Sequence, residues 1–247
     1  MTSLRAHCFW VPKEGNRVEE WEDACAFSEA TGRFAIADGA SSSFRAQDWA
    51  SALTKSFVGQ PPTDLSTDGM ESWVANVADS FDEAPAGDSW YHESAAERGA
   101  FATLLGLFVG ETARGSGALG YMAVAIGDTC MFHIRDGKLA KAWPLTDASQ
   151  FTSTPQLVAS TVVNQGHGAH AAVFERGATK PGDVFILATD ALSHWALAMS
   201  KEDPGVWRAL CAVRNDTFQN LVTHLRGARV VENDDLTLLR IEVLNGR

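Results

Sequence analysis

The sequence predicts an α+β domain in which helices cover the outer faces of antiparallel sheets. Three observations carry this expectation. Short apolar runs bounded by turn residues recur through the chain, most of them close enough to pair as hairpins. Longer stretches that place apolar residues at helical spacing interrupt those runs. The 247 residues, 45% hydrophobic and 21% charged, supply a sizeable core for a single domain spanning 1–247.

The first strand is expected at 4–11, followed by a turn of Pro12, Lys13, Glu14, Gly15 and Asn16. Residues 24–28 and 33–37 read as a hairpin turning at Thr31-Gly32, and its second strand runs into Asp38-Gly39. Ala46, Trp49, Ala50, Leu53 and Phe57 mark one helix; Met70, Trp73, Val74, Val77 and Phe81 mark another. Residues 83–98 fit helix and loop equally. Strands follow at 101–109, 117–126 and 130–135, with Asp136-Gly137 as a tight turn after the third. Residues 144–181, broken by Pro144, Pro155, Gly166, Gly168 and Pro181, are expected to form an irregular excursion. A strand at 183–189 is apolar enough to be buried on both faces. Asp203 is expected to cap a helix opening at Pro204, with Val206, Leu210, Val213, Phe218, Leu221, Val222 and Leu225 as its stripe. The last strand is 236–243, after an acidic turn at 232–235.

The formal net charge of -11 argues against nucleic acid as a partner, because such a surface repels phosphate backbones. Cys8, Cys25, Cys130 and Cys211 form no C-x-x-C pair. Three lie in apolar stretches, and the expectation is small buried hydrophobes in a reducing compartment. The first ten residues lack a signal-peptide core, and no segment is apolar for long enough to span a membrane. A cytoplasmic protein is expected.

Acidic residues stand where strands end. Glu22-Asp23 precedes a strand, Asp38 follows one, Asp128 lies between two, Asp190 follows one, and Asp234-Asp235 precedes the last. Strand ends on a common rim are where rigid scaffolds mount sites. Carboxylates converging there repel one another unless cations neutralise them, and oxygen-only ligation favours magnesium or manganese. Taken singly, each aspartate reads equally as a turn former or helix cap, Asp190 for a helix at 191–199 among them. Only the joint arrangement points to metal.

These places also resemble a known family. Glu22-Asp23-Ala24, Phe34-Ala35-Ile36-Ala37-Asp38-Gly39, Thr103, Gly127-Asp128-Thr129 with Arg135-Asp136-Gly137-Lys138-Leu139, Asp183 to Asp190, and Asp234-Asp235-Leu236-Thr237 are similar, in order, to the motifs of PPM (PP2C-type) metal-dependent protein phosphatases. The resemblance implies a four-layer α-β-β-α sandwich and hydrolysis of phosphoserine or phosphothreonine by a water activated between two Mn2+ or Mg2+ ions. It implies that Asp38 bridges both ions and that Asp190 and Asp234 complete the shell of the first. Glu22 and the Gly39 carbonyl reach the second, Asp23 stands behind them, and Asp128 serves a third, weaker ion. A phosphoprotein substrate and an opposing Ser/Thr kinase are the implied partners.

The chain departs from the pattern in places. Ala191 stands where the family has glycine, and Ala40-Ser41-Ser42 replaces a glycine pair after Asp38-Gly39. Animal members carry a candidate general-acid histidine at the position of Ala40, so water or another group must protonate the leaving oxygen here. The family's phosphate-binding arginine lies four residues before the glutamate; Arg17, five before Glu22, is the favoured counterpart, Lys13 is also near, and both read equally as surface residues. The excursion at 144–181 occupies the place of the family's flap. His167-x-x-His170 lacks acidic or cysteine support for a metal pair, and Ser193-His194 lacks a G-x-S-x-G elbow. Two further readings stand beside the phosphatase: a catalytically degenerate regulatory binding module, and a small-molecule phosphoesterase using the same metals.

Overall fold

The computed structural model describes residues 3–82, 99–112, 117–161 and 167–245. The stretch 83–98, open between helix and loop in the sequence, lies outside them. In chain order the elements are β1 (Ser3–Val11), β2 (Ala24–Ser28), β3 (Arg33–Ala37), α1 (Ala46–Gly59), α2 (Thr67–Asp82), β4 (Phe101–Ala102) and β5 (Leu104–Glu111). Then come β6 (Leu119–Ile126), β7 (Cys130–Arg135), β8 (Lys138–Trp143), β9 (Val158–Ala159), β10 (Val173–Ala178) and β11 (Val184–Ala188). The chain continues through α3 (Asp190–Glu202), α4 (Val206–Ala212), α5 (Asn215–Gly227) and β12 (Leu236–Leu244). Among the described residues no helix is long and apolar enough to cross a membrane.

Two five-stranded antiparallel sheets form the centre, ordered β1-β12-β11-β7-β8 and β10-β6-β5-β3-β2, and β4 pairs with β9 apart from them. The alternation of side chains along each strand sends one set inward and one outward. Phe34, Ile36, Leu105, Leu107, Phe185, Leu187, Leu239 and Ile241 meet between the sheets. Ile186, Ala188 and Leu238 face outward onto α3, α4 and α5, whereas Ala35, Ala37, Leu104 and Val124 face α1 and α2. The result is the four-layer α-β-β-α sandwich. The stripe of α1, Ala46, Trp49, Ala50, Leu53 and Phe57, is entirely buried. It sits close because β5 offers a glycine: a β-carbon on Gly106 would stand 2.2 Å from the Phe57 ring.

Several sequence expectations need correction. The excursion at 144–181 is not irregular throughout: β10 pairs with β6 along its length and forms an edge of the second sheet. Its exposed edge position leaves it without the apolar periodicity of the buried strands. The strand at 101–109 is two strands, broken at Thr103, whose amide donates to the Asp38 carbonyl at 2.8 Å. The helix opening at Pro204 is also two. α4 ends at Ala212, and the Arg240 guanidinium takes over the carbonyls freed there, donating to Cys211 O at 2.9 Å and Val213 O at 2.7 Å. Asp203 shapes the turn by accepting from the Gly205 amide at 2.7 Å, and Gly205 is the residue that precedes the helix.

Cys8 and Cys25 are not free buried thiols. They are half-buried and joined as a disulfide that ties β1 of one sheet to β2 of the other, while Cys130 and Cys211 are free. Asp190 is the first residue of its helix rather than the cap, which is Thr189, and its carboxylate accepts from the Ala191 amide at 2.5 Å.

Candidate active site

The strand ends named from the sequence come from both sheets and open on one side of the sandwich. Asp38 follows β3, Asp128 lies in the β6–β7 turn, Asp190 follows β11, and Asp234 precedes β12. All four line one cleft of ≈ 740 Å³, with Gly39, Thr103, Lys13, Glu232, Ala191 and His194 around them. A neighbouring recess of ≈ 550 Å³ contains Glu22 and shares Lys13 and Ser41 with the cleft.

Buried polar contacts fix this rim. The Asp38 amide donates to Thr103 Oγ1 at 3.0 Å, and that hydroxyl is 2.7 Å from Thr129 Oγ1 beside Asp128. Asp23, almost fully buried, accepts from Thr237 Oγ1 at 2.7 Å and Thr189 Oγ1 at 3.1 Å. Thr237 in turn accepts from Trp21 Nε1 at 3.1 Å. The buried Asp235 carboxylate accepts from the amides of Lys13 at 2.7 Å and Glu22 at 2.6 Å, so it holds both segments against the start of β12. Gly39 lies against the Glu22 backbone so closely that a β-carbon would stand 2.6 Å from the Glu22 carbonyl oxygen.

The electrostatics are those of buried carboxylates crowded together. Burial, then the charges of Asp23, Asp190, Asp234 and Asp128, push the Asp38 carboxyl well above its usual range. Burial raises Asp23 as well; the Thr237 and Thr189 hydrogen bonds oppose it, and Asp235 and Asp190 add to it. Asp128 is raised to about 7, by burial and then by Asp190. Asp190 is raised by burial and by Asp234 and Glu232, against the Ala191 amide and a hydrogen bond with Asp38. Among the described residues no three His, Cys, Asp or Glu side chains already close into a cage. The donor chemistry nonetheless fits hard divalent cations: the set is all oxygen, and a cation among the carboxylates would reverse the mutual repulsion that raises them.

Of the residues singled out in sequence, Asp38, Gly39, Asp128, Asp190 and Asp234 share the cleft, Glu22 lies in the adjoining recess, and Asp23 is packed behind. Arg17 is elsewhere. Its side chain is 78% exposed, pairs with Glu20 at 3.5 Å, and lines neither hollow. Lys13 lines both, with Nζ 3.8 Å from Asp234 Oδ1. His167 is held by the Ala159 carbonyl at 2.9 Å, and Ser193 donates back to the Ala188 carbonyl at 2.8 Å as a buried helix residue. The sequence motifs assign no role to Glu232, Thr129, Thr189 or His194, and Asp235 counts there only as one of an acidic pair at a strand end. Thr189 and Asp235 sit inside the quoted motifs, but their spacing carries no sign of whom they bind across 166 or 222 positions.

No protein-family model matches the sequence, and no curated protein matches it. Solved structures do match in fold. PppA, a key regulatory component of T6SS in Pseudomonas aeruginosa, is 20% identical, with 98% of each chain covered and a TM-score of 0.58. The Mycobacterium tuberculosis serine/threonine phosphatase PstP is 16% identical over 98% of this chain and 100% of that one, with a TM-score of 0.56. The catalytic domain of PstP in complex with two manganese ions is 16% identical over 99% and 100%, with a TM-score of 0.58. Over nearly its whole length, the chain has the fold of the PPM/PP2C-type serine/threonine phosphatases.

Proposed function

We propose that the chain is a Mn2+- or Mg2+-dependent protein phosphatase acting on phosphoserine and phosphothreonine. The observation that carries this is the cleft in which Asp38, Asp128, Asp190 and Asp234 converge from four strand ends. A fold shared with a phosphatase domain that is described with two manganese ions supports it. In this reading Asp38, Asp190 and Asp234 would hold one ion, Asp38, Glu22 and the Gly39 carbonyl would hold a second, and Asp128 would serve a third. Two bound ions supply the Lewis acidity that makes water nucleophilic near neutral pH and offset charge on the phosphoryl oxygens.

The chain's own residues position and compensate. Asp23, oriented by the hydrogen bonds it accepts from Thr189 and Thr237, stands behind the ligands. Lys13 is better supported than Arg17 as the cation facing the phosphoryl group, because its side chain lines the cleft and Asp235 fixes its backbone. Residues 151–155 wall the cleft as part of the flap-like excursion and are suited to selecting the substrate. The natural substrate is a phosphoprotein, and the natural antagonist a Ser/Thr kinase.

Hydrolysis of p-nitrophenyl phosphate with manganese, with magnesium and with EDTA tests the reading. Turnover should require the cation and vanish in Asp38→Asn while the fold survives. Retained turnover in that variant would sink the two-ion site. A folded wild-type chain inert with every cation would favour a regulatory binding module, and a sugar phosphate cleaved faster than a phosphopeptide would favour a small-molecule esterase.

A further inference from the structure

The cleft contains one imidazole that the roles above do not use. His194 lies on α3 four residues after Asp190, so both occupy one face of the helix, and both line the cleft. Its ring is edge-on to Phe151, with centroids 5.5 Å apart and planes at 88°. The Phe151 segment is anchored to the same helix, because Asp147 pairs with Lys201 at 2.6 Å and also accepts from the Ser149 amide at 2.9 Å. The imidazole is therefore held in direction by packing. It remains exposed, and among the described residues neither ring nitrogen has a hydrogen-bond partner. His133, by contrast, is buried against Asp183, and His167 is bound to a backbone carbonyl. Lys13, the cation on the cleft wall, faces Asp234.

We propose that His194 is the general acid that protonates the departing seryl or threonyl oxygen, an assignment that rests on the phosphatase reading. The attacking water oxygen forms the new bond to phosphorus, and the bond from phosphorus to the side-chain oxygen breaks, leaving its electron pair on that oxygen. The imidazolium N–H gives its proton there, producing the free hydroxyl. The attacking water gives up one proton to solvent, and the ring takes one back. A leaving alkoxide needs that proton, because its conjugate acid is far weaker than water-compatible leaving groups such as nitrophenol. An imidazole lining the cleft is suited to carry that proton near neutral pH.

The test compares two esters in the full chain with manganese: a phosphoserine peptide, whose leaving group needs protonation, and p-nitrophenyl phosphate, whose leaving group does not. In His194→Gln, kcat on the peptide should fall by about 10²- to 10⁴-fold. Turnover of the nitrophenyl ester and the manganese concentration for half-activation should stay near wild type. His194→Ala, with added imidazole restoring peptide turnover, gives an independent reading should the glutamine pack badly. Equal losses on both esters, no loss on either, or a raised manganese requirement without a split between esters would overturn the assignment. A wild-type chain without cation-dependent turnover of either ester would remove the phosphatase reading, and the assignment with it.

Discussion

Asp183 opens the strand whose other end delivers Asp190, and its environment makes replacement costly. The carboxylate is fully buried and accepts from Arg135 Nε at 2.9 Å, Arg135 Nη2 at 2.7 Å, Thr179 Oγ1 at 2.9 Å and the Lys180 amide at 3.0 Å. His133 Nε2 lies 2.9 Å away. Burial alone would raise this carboxyl, but the Arg135, His133, Lys180 and Thr179 hydrogen bonds outweigh it and hold it well below its usual range. Asp183→Asn removes the charge and one acceptor oxygen. Charge-assisted bonds of this kind contribute about 1.5 to 3 kcal/mol each when dry. The Arg135 side chain is 36% exposed, so solvent screens its share, and about 3 kcal/mol for the whole cluster is a reasonable expectation. Urea denaturation of both chains at pH 7 measures it. The sign with pH is fixed by the direction of the shift. A depressed folded-state pKa gives stability that is present above the unfolded value, near 3.9, and is lost as pH falls toward the folded one. The gap between wild type and Asp183→Asn should therefore be full at pH 7 and shrink below about pH 4. A gap under about 1 kcal/mol at pH 7, or one that does not shrink in acid, would refute the argument.

Two other perturbations follow from equally specific contacts. Gly39→Ala brings a β-carbon to 2.6 Å from the Glu22 carbonyl oxygen and 3.0 Å from the Ala46 backbone, neither of which is a flexible side-chain end. It should destabilise by about 1 to 3 kcal/mol and weaken manganese binding by displacing Glu22, as calorimetric titration would read. Cys8→Ser removes a bond between positions 17 apart in sequence and should cost about 3 kcal/mol of stability. The loss should equal that produced in wild type by a reducing agent, and a reductant that changes only the variant would contradict the pairing.

The layers were legible because burial leaves a periodic mark. The α1 stripe and the runs at 130–135 and 236–243 are apolar for the same reason that they are strands or helices of the core. β10 was missed because an edge strand with Glu175 and Arg176 in it has no such mark. β8 was missed for the same reason: it begins with Lys138 and keeps Lys141 at the surface, paired with Glu175. The break between α4 and α5 depends on Arg240, 27 positions beyond Val213, which no local pattern reveals. At the candidate site, the aspartates were visible because they end apolar runs. What holds them was not: Asp235 reaches Lys13 across the chain, and Thr189 and Thr237 reach Asp23. Arg17 was named by its distance from Glu22 along the sequence, and the 3-10 turn at Val18–Glu20 sends that side chain to solvent beside Glu20.

The departures from the PPM pattern raise the question of whether the rim can keep its shape. Glycines after Asp38-Gly39 would be required if the turn entered left-handed backbone space, yet Ala40, Ser41 and Ser42 all have negative φ. The turn is held by hydrogen bonds instead. The Ala40 amide donates to the Phe101 carbonyl at 2.9 Å, the Ser43 amide to the Ala40 carbonyl at 2.8 Å, and the Phe101 amide to Ser43 Oγ at 3.1 Å. Ser43 thus ties the segment after Gly39 to β4, which also pairs Gly39 with Ala102 across an isolated bridge. Ala191 needs no special conformation either, since it lies in the first turn of α3 with its methyl buried against the outer core. Both substitutions exchange backbone freedom for a fixed contact, and neither removes an oxygen from the cleft. Four aspartates crowded into one cleft repel one another, and that repulsion opposes folding. A cation bound among them would turn that repulsion into attraction, so the rim whose charges cost stability is the rim a cation would stabilise.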